Sequence, residues 1–223
     1  MSLKYKELYD DKYFENRNST DLNRLKSFEQ EKEFIYQYIK EGTICDIGCS
    51  TGEFLNHIKW NGQMYGMEIN EDAIKIAKNS GISFDKNILT ENNFFDVVVF
   101  RGTIQHVPNP FFYIEKAYDS LKDGGYIVFL ATPNMNSLYY KFFNTLPMLD
   151  DPRNFYIPSD KTLSNALKNF RFDIIEIDKP YLKSPYSNVV NDHLKFFKKL
   201  LFRTDDKFAF WGNSINIIAR KKI

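Results

Sequence analysis

Asp46, Gly48, Ser50 and Gly52 lie in one run, Asp-Ile-Gly-Cys-Ser-Thr-Gly, and Glu68 follows twenty-two positions after Asp46. Glycines in such a run admit positive φ and let a ligand approach bare backbone. An acid about twenty residues beyond a glycine loop, at the end of the next apolar run, can accept hydrogen bonds from both hydroxyls of a ribose. The spacing is D-x-G-x-x-x-G. Dinucleotide sites carry G-x-G-x-x-G instead, because a pyrophosphate sits close to the helix start. An acid two residues before the first glycine repels a pyrophosphate. It suits a ligand with an ammonium and a sulfonium, such as S-adenosylmethionine.

These residues need elements to hold them. Residues 43–47 are apolar except for Asp46, as expected of a strand buried on both faces. A helix starts at about Thr51, its first amides pointing at whatever fills the loop. Glu68 ends the second strand, and Asn70 caps a short helix closed by Gly81. A third strand is expected at 82–85 and a fourth at 94–100, with Arg101 and Gly102 leaving its carboxyl end, where ligands of open α/β sheets bind. Pro110 sits in the first turn of a helix reaching Leu121. A Gly-Gly turn leads to a fifth strand at 126–131. Ser159 caps another helix, and strands six and seven are expected at 172–178 and 214–219. Before the sheet, apolar residues from Leu22 to Ile39 recur at helical spacing over 21–40, with Thr20-Asp21 as cap and Gly42 as stop.

The stretch 43–70 resembles the first two motifs of class I S-adenosylmethionine-dependent methyltransferases, with Ser50 where the middle glycine is usual. FDVVVFRGTIQHVPNP resembles the fourth-strand region of that family, with Gln105 replacing the acid of an acid–His pair. LKDGGYIVFLATPN resembles its L-K-P-G-G strand, with Asp123 for the proline. These matches occur in order and cover residues 43–134. The resemblance implies one Rossmann-like α/β domain over 1–223: a mostly parallel seven-stranded sheet with an antiparallel last strand and helices on both faces. Residues 1–42 would form a lid and helix, 43–134 the cofactor core, and 135–223 the acceptor side and last strands. It implies S-adenosylmethionine held by Asp46, Gly48, Cys49, Ser50, Gly52, Glu68, Ile69, Arg101 and Gly102. A polar residue after the third strand would face the adenine; Asp85, Asn87 or the backbone at Ile88 could serve, and Asn87 is the choice carried forward. In the family the N-terminal segment often covers the cofactor, which here places Tyr13, Phe14 and Arg17 over it, with Tyr13 and Arg17 against the acceptor.

The segments HVPNP and ATPN look most like small-molecule O-methyltransferases, including quinone-pathway and surface-sugar enzymes. His106 is the one histidine in a family motif at the sheet's ligand-binding edge, and it is the candidate base for a sugar or phenolic hydroxyl. Asn134, Tyr139, Tyr156 and Asp192 lie in the two long segments able to roof that edge, and are expected to touch the acceptor. Tyr139, Tyr156 and Asp192 are the substitutes if His106 is structural. A non-catalytic S-adenosylmethionine-binding partner or sensor is the alternative, left open by Ser50 and Gln105.

The totals bound the rest. The chain has 223 residues, a formal charge of +1, 21 Phe and 14 Tyr. A near-neutral chain without a basic stripe gives no footprint for nucleic acid. Three scattered histidines give no zinc spacing, so no metal is expected. The two cysteines, Cys45 and Cys49, sit in strand and loop where a bridge would distort the site, which points to reduced thiols and a cytoplasmic setting. No run reads as a signal peptide or membrane span. An amphipathic helix at 192–202, with Leu194, Phe197, Leu200 and Leu201 on one face, is expected to pack on the domain or on a second subunit as a homodimer.

Overall fold

The structure, a computed structural model, describes residues 21–149 and 154–223. Tyr13, Phe14 and Arg17, assigned to a cofactor lid from the sequence, lie outside the described residues. Asp21 caps α1 (Leu22–Tyr36), its carboxylate accepting the amides of Asn23 at 2.9 Å and Arg24 at 3.4 Å. β1 (Ile44–Ile47) leads through the glycine loop into α2 (Glu53–Ile58), β2 (Met64–Met67) and α3 (Glu71–Asn79). β3 (Phe95–Arg101), a 3-10 turn at Ile104–His106 and α4 (Pro110–Ser120) follow. β4 (Leu121–Pro133) precedes α5 (Leu138–Phe143) and α6 (Asp160–Asn169). β5 (Phe172–Asp178), α7 (Val189–Phe202) and β6 (Ser214–Lys221) complete the chain.

The strands form one sheet in the order β2-β1-β3-β4-β6-β5. β1 to β4 are mutually parallel, and β6 runs antiparallel between β4 and β5. The sheet has six strands among the described residues, where the sequence predicts seven. Residues 82–85 add only a bridge, Ser83 against Tyr65. Pairing stops at that residue: the Ser83 amide donates to the Met64 carbonyl and its carbonyl accepts the Gly66 amide, both at 2.9 Å, and the run is too short to extend the ladder. β4 is longer than expected because Leu121 already pairs with Phe95 before the Gly-Gly turn, with a register shift between the two stretches.

Alternate side chains of the strands face opposite layers. Ile44, Val97, Val99 and Val128 meet Phe28, Ile35 and Phe54 of α1 and α2 on one face. Cys45, Val98, Phe100 and Phe129 meet Ile114, Ala117 and Leu167 of α4 and α6 on the other. Beyond the sheet, α5, α7 and residues 206–210 build a separate aromatic layer around Tyr139, Phe196, Phe208 and Phe210. Phe196 and Phe210 stack there at 4.4 Å. α7 enters this layer through Asp192 and Phe196. Of the two packings expected for its apolar face, on the domain or on a second subunit, the first is not found: Leu194 is 65% exposed, Phe197 59% and Leu201 72%. No described residue covers it. No described helix is long and apolar enough to cross a membrane.

Candidate cofactor and acceptor site

The loop after β1 takes its shape from three residues with positive φ: Gly48 at 73°, Ser50 at 53° and Gly52 at 78°. Gly48 and Cys49 donate to the Met67 carbonyl at 2.7 and 3.4 Å, binding the loop to the end of β2. A Cβ on Gly48 would lie 2.6 Å from Thr103 Cγ2, and one on Gly52 would lie 2.2 Å from Ile82 Cδ1. Cys49 presses its sulfur against β2 where Gly66 has no side chain; a Cβ there would sit 2.6 Å from Sγ. Cys45 and Cys49 are both free and buried. Burial pushes both thiols well above the usual range. α2 has Gly52 as its N-cap and no side chain on its first amides.

Glu68 reaches back over this loop. Its Oε2 accepts the Ser50 amide at 3.0 Å, and Oε1 accepts the amides of Ile69 at 2.6 Å and Asn70 at 3.0 Å. A carboxylate offers about four acceptor sites, so capacity remains for a hydroxyl. Asp46, 2% exposed, has Oδ1 buried without a partner. Burial pushes its carboxyl up to about 8, with Arg101 opposing the rise and Glu68 and Glu31 adding to it. Native structures seldom leave a buried carboxylate oxygen unpaired. An unsatisfied acceptor below a glycine loop, with an excess of carboxylates around it, fits a cationic ligand carrying a ribose. The site therefore fits S-adenosylmethionine.

Arg101, expected at the cofactor, points into the α1 face. Its Nε and a terminal nitrogen donate to Glu31 at 2.6 and 3.2 Å, and its guanidinium lies 4.3 Å from the Phe28 ring centre. Glu31, buried in α1, is the residue that sequence reasoning missed. Burial pushes its carboxyl up, and Arg101 pulls it down. The signal was an acid in register with Phe28, Phe34 and Ile35 on the helix face that must be buried. Gly102, at φ 58°, donates its amide to the Leu130 carbonyl at 2.8 Å and turns the chain out of β3. Asn87 uses its side-chain oxygen to accept the Leu89 amide at 2.9 Å, closing a turn over buried Ile88.

On the acceptor side, the Gln105 side chain donates through Nε2 to the Gly102 carbonyl at 2.9 Å and lies 3.3 Å from His106 Nε2. An amide nitrogen can only donate, so this contact is a hydrogen bond in the tautomer that leaves His106 Nε2 unprotonated. Tyr156 is brought to the same turn, its amide donating to the Gln105 carbonyl at 3.3 Å. Asn134 is buried beside it, tied to the Gly212 carbonyl at 2.9 Å and to the amides of Asn136 and Asp160, both at 3.1 Å. Tyr139 and Asp192 lie elsewhere, within the aromatic layer. The Tyr139 hydroxyl donates to the Asp206 carbonyl at 3.2 Å, and burial pushes its phenol up to about 12. Asp192 Oδ2 accepts from the Tyr181 hydroxyl at 3.0 Å and the Asn188 amide at 2.7 Å.

A parallel sheet with a positive-φ glycine loop after its first strand and an acid closing the second defines a Rossmann-like nucleotide-cofactor domain. The chain belongs to the methyltransferase domain family, whose model matches residues 14–177. It is 31% identical over 122 residues to the ubiquinone biosynthesis O-methyltransferase of Hydrogenovibrio crunogenus, covering 48% of this chain and 50% of that protein. It is 29% identical over 159 residues to the protein of the same name from Coxiella burnetii, covering 62% and 65%. The chain thus spans between half and two thirds of the length of these curated relatives. A solved SAM-dependent methyltransferase from Thermotoga maritima shares the fold at TM-score 0.67 and 18% identity, over 98% of this chain and 100% of that one. Another from Archaeoglobus fulgidus does so at 0.57 and 23%, over 87% and 94%.

Proposed function

We propose that the chain is an S-adenosylmethionine-dependent methyltransferase acting on a hydroxyl of a small molecule, a sugar or phenolic ring. The observation that carries this reading is the buried, unpartnered Asp46 carboxylate oxygen beneath the Gly48–Gly52 loop, with Glu68 facing the same loop. The curated relatives named for O-methylation support the choice of oxygen. When bound, the cofactor supplies an electrophilic methyl on a sulfonium whose departure needs no protonation. Gly48, Cys49, Ser50 and Gly52 border its amino-acid part, and Asp46 answers its ammonium. Glu68 accepts from the ribose, and Ile69, Asn87 and Gly102 flank the nucleoside.

The chain's remaining work is to place the acceptor oxygen and take its proton. Holding the reacting atoms in near-attack geometry supplies most of the acceleration. His106 takes the hydroxyl proton through Nε2 as methyl transfer proceeds, the acceptor hydroxyl displacing the Gln105 amide that lies 3.3 Å from that nitrogen. Tyr156 and Asn134 shape the wall beside it. His106→Ala is expected to lower turnover by about 10²-fold or more, the usual scale for a lost general base, with S-adenosylhomocysteine affinity unchanged. Full activity in that variant would make His106 structural. A non-catalytic cofactor-binding protein would bind S-adenosylhomocysteine and form none of it from S-adenosylmethionine with any acceptor.

A further inference from the structure

Two side-chain amides at the carboxyl end of the sheet are buried and incompletely paired. Asn213, 3% exposed, has neither Oδ1 nor Nδ2 in a hydrogen bond. Its backbone is fully engaged, the amide on the Phe210 carbonyl at 3.1 Å and the carbonyl on the Asn134 amide at 2.9 Å. Gln105, 6% exposed, has Oε1 without a partner, while Nε2 is fixed on the Gly102 carbonyl. That donor contact sets which way the Gln105 amide faces. Buried polar groups are nearly always bonded in folded chains, so each of these atoms calls for a partner.

Both residues stand around the end of β4. Arg101, four residues before Gln105, pairs with Leu130 on one side. Ser214, next to Asn213, pairs with Pro133 on the other. Residues 155–158 join the two sides. Phe155 and Tyr156 donate to the Gln105 carbonyl, and the Pro158 carbonyl accepts the Met135 amide at 2.9 Å. Asn134 Nδ2 ties the same corner to Gly212. The unpaired amides thus belong to a rim held by backbone bonds, with His106 on it.

We propose that Asn213 and Gln105 are the hydroxyl-reading residues of the acceptor site, selecting an uncharged ring with two adjacent hydroxyls. The proposal rests on the methyltransferase reading. A primary amide presents one donor and one acceptor side by side, which matches adjacent hydroxyls, one accepting and the other donating. Gln105 Oε1 adds an acceptor for a hydroxyl proton. Both strand-end cations beside this rim are tied to carboxylates, Arg101 to Glu31 and Lys179, next to Gly212, to Asp160 at 2.6 Å, so neither is a free counter-charge for a carboxylate. A site built to bond a hydroxyl rejects an analogue lacking it, because its own polar groups are then left unpaired.

The adjacent hydroxyls could belong to a phenolic ring or a sugar, and two probe pairs separate these sources. Protein saturated with S-adenosylhomocysteine would be titrated calorimetrically with 4-methylcatechol against 4-methylphenol, and with methyl α-mannopyranoside against its 2-deoxy analogue. In one pair the diol is expected to bind about tenfold or more tightly than its partner, the scale of one unmade buried hydrogen bond. Asn213→Leu and the near-isosteric Asn213→Asp are both expected to erase that preference with S-adenosylhomocysteine affinity unchanged. The second variant guards against a folding defect in the first. No preference in either pair, or a preference that survives Asn213→Asp, overturns the proposal. Failure of S-adenosylhomocysteine to bind the unaltered protein would overturn the cofactor reading instead.

Discussion

Asp46 holds its proton far above the usual carboxylate range, up to about 8, chiefly because it is buried. The folded chain without ligand keeps a proton that the unfolded chain gives up near pH 4. Its contribution to stability is therefore full below about pH 4 and is lost as the pH rises toward 8. Binding of a cationic ligand asks for the ionised form. Between pH 6 and 8 the affinity for S-adenosylhomocysteine should rise, approaching tenfold per pH unit at the acid end. Asp46→Asn should flatten that dependence, as calorimetry across the range would show; an equal slope in both would remove Asp46 from the ammonium's neighbourhood. The Glu31–Arg101 pair gives a second test. Glu31→Ala leaves a partly buried guanidinium without its partner, at a cost of roughly 3 kcal/mol. Denaturant unfolding should show most of that stability recovered when Arg101→Leu is added, since both charges are then gone.

At the scale of elements, the glycine loop and what packs on it decide whether the site can form. Gly52→Ala meets two penalties, about 1 kcal/mol for the left-handed backbone and the approach to Ile82 Cδ1. Ile82→Val removes that methyl. The double variant should therefore unfold at a higher temperature than Gly52→Ala alone, yet below the single Ile82→Val chain. The sequence makes this corner legible because its signals are local. Capping by Asp21, Asn70 and Ser159 stands where the polar residues precede apolar periodicity. The six strands of the sheet also fall at the expected places. The run at 82–85 misleads because an apolar–polar alternation this short does not say how many residues will pair; only Ser83 bridges to β2. α7 misleads because periodicity marks an apolar face without saying which face the domain uses; Asp192 and Phe196, not Leu194 and Leu201, are buried. Arg101 was read from its place at a strand end. Its direction depended on Glu31, seventy residues away, which no local pattern reveals. Asn213 gave no sequence signal at all, because an asparagine after a glycine reads as a turn.

Over the whole molecule, a two-sided α/β core carries the glycine-loop edge, and α5, α7 and residues 206–210 add a separate aromatic layer beyond the sheet. That division explains why Tyr139 and Asp192, reasonable acceptor ligands by position, instead hold α5 and α7 in that layer. A carboxylate-rich loop region and an amide-lined rim share one edge of the sheet; in the proposed function the first answers a cation and the second an uncharged ring. The central claim is that the Gly48–Gly52 loop and Glu68 bind S-adenosylmethionine, and calorimetric titration of S-adenosylhomocysteine into the unaltered chain and Glu68→Ala tests it most directly. The account predicts saturable one-site binding, weakened in the variant by roughly 1–3 kcal/mol, the cost of leaving buried polar groups unpaired. Absence of binding, or equal affinity in the two proteins, would contradict it.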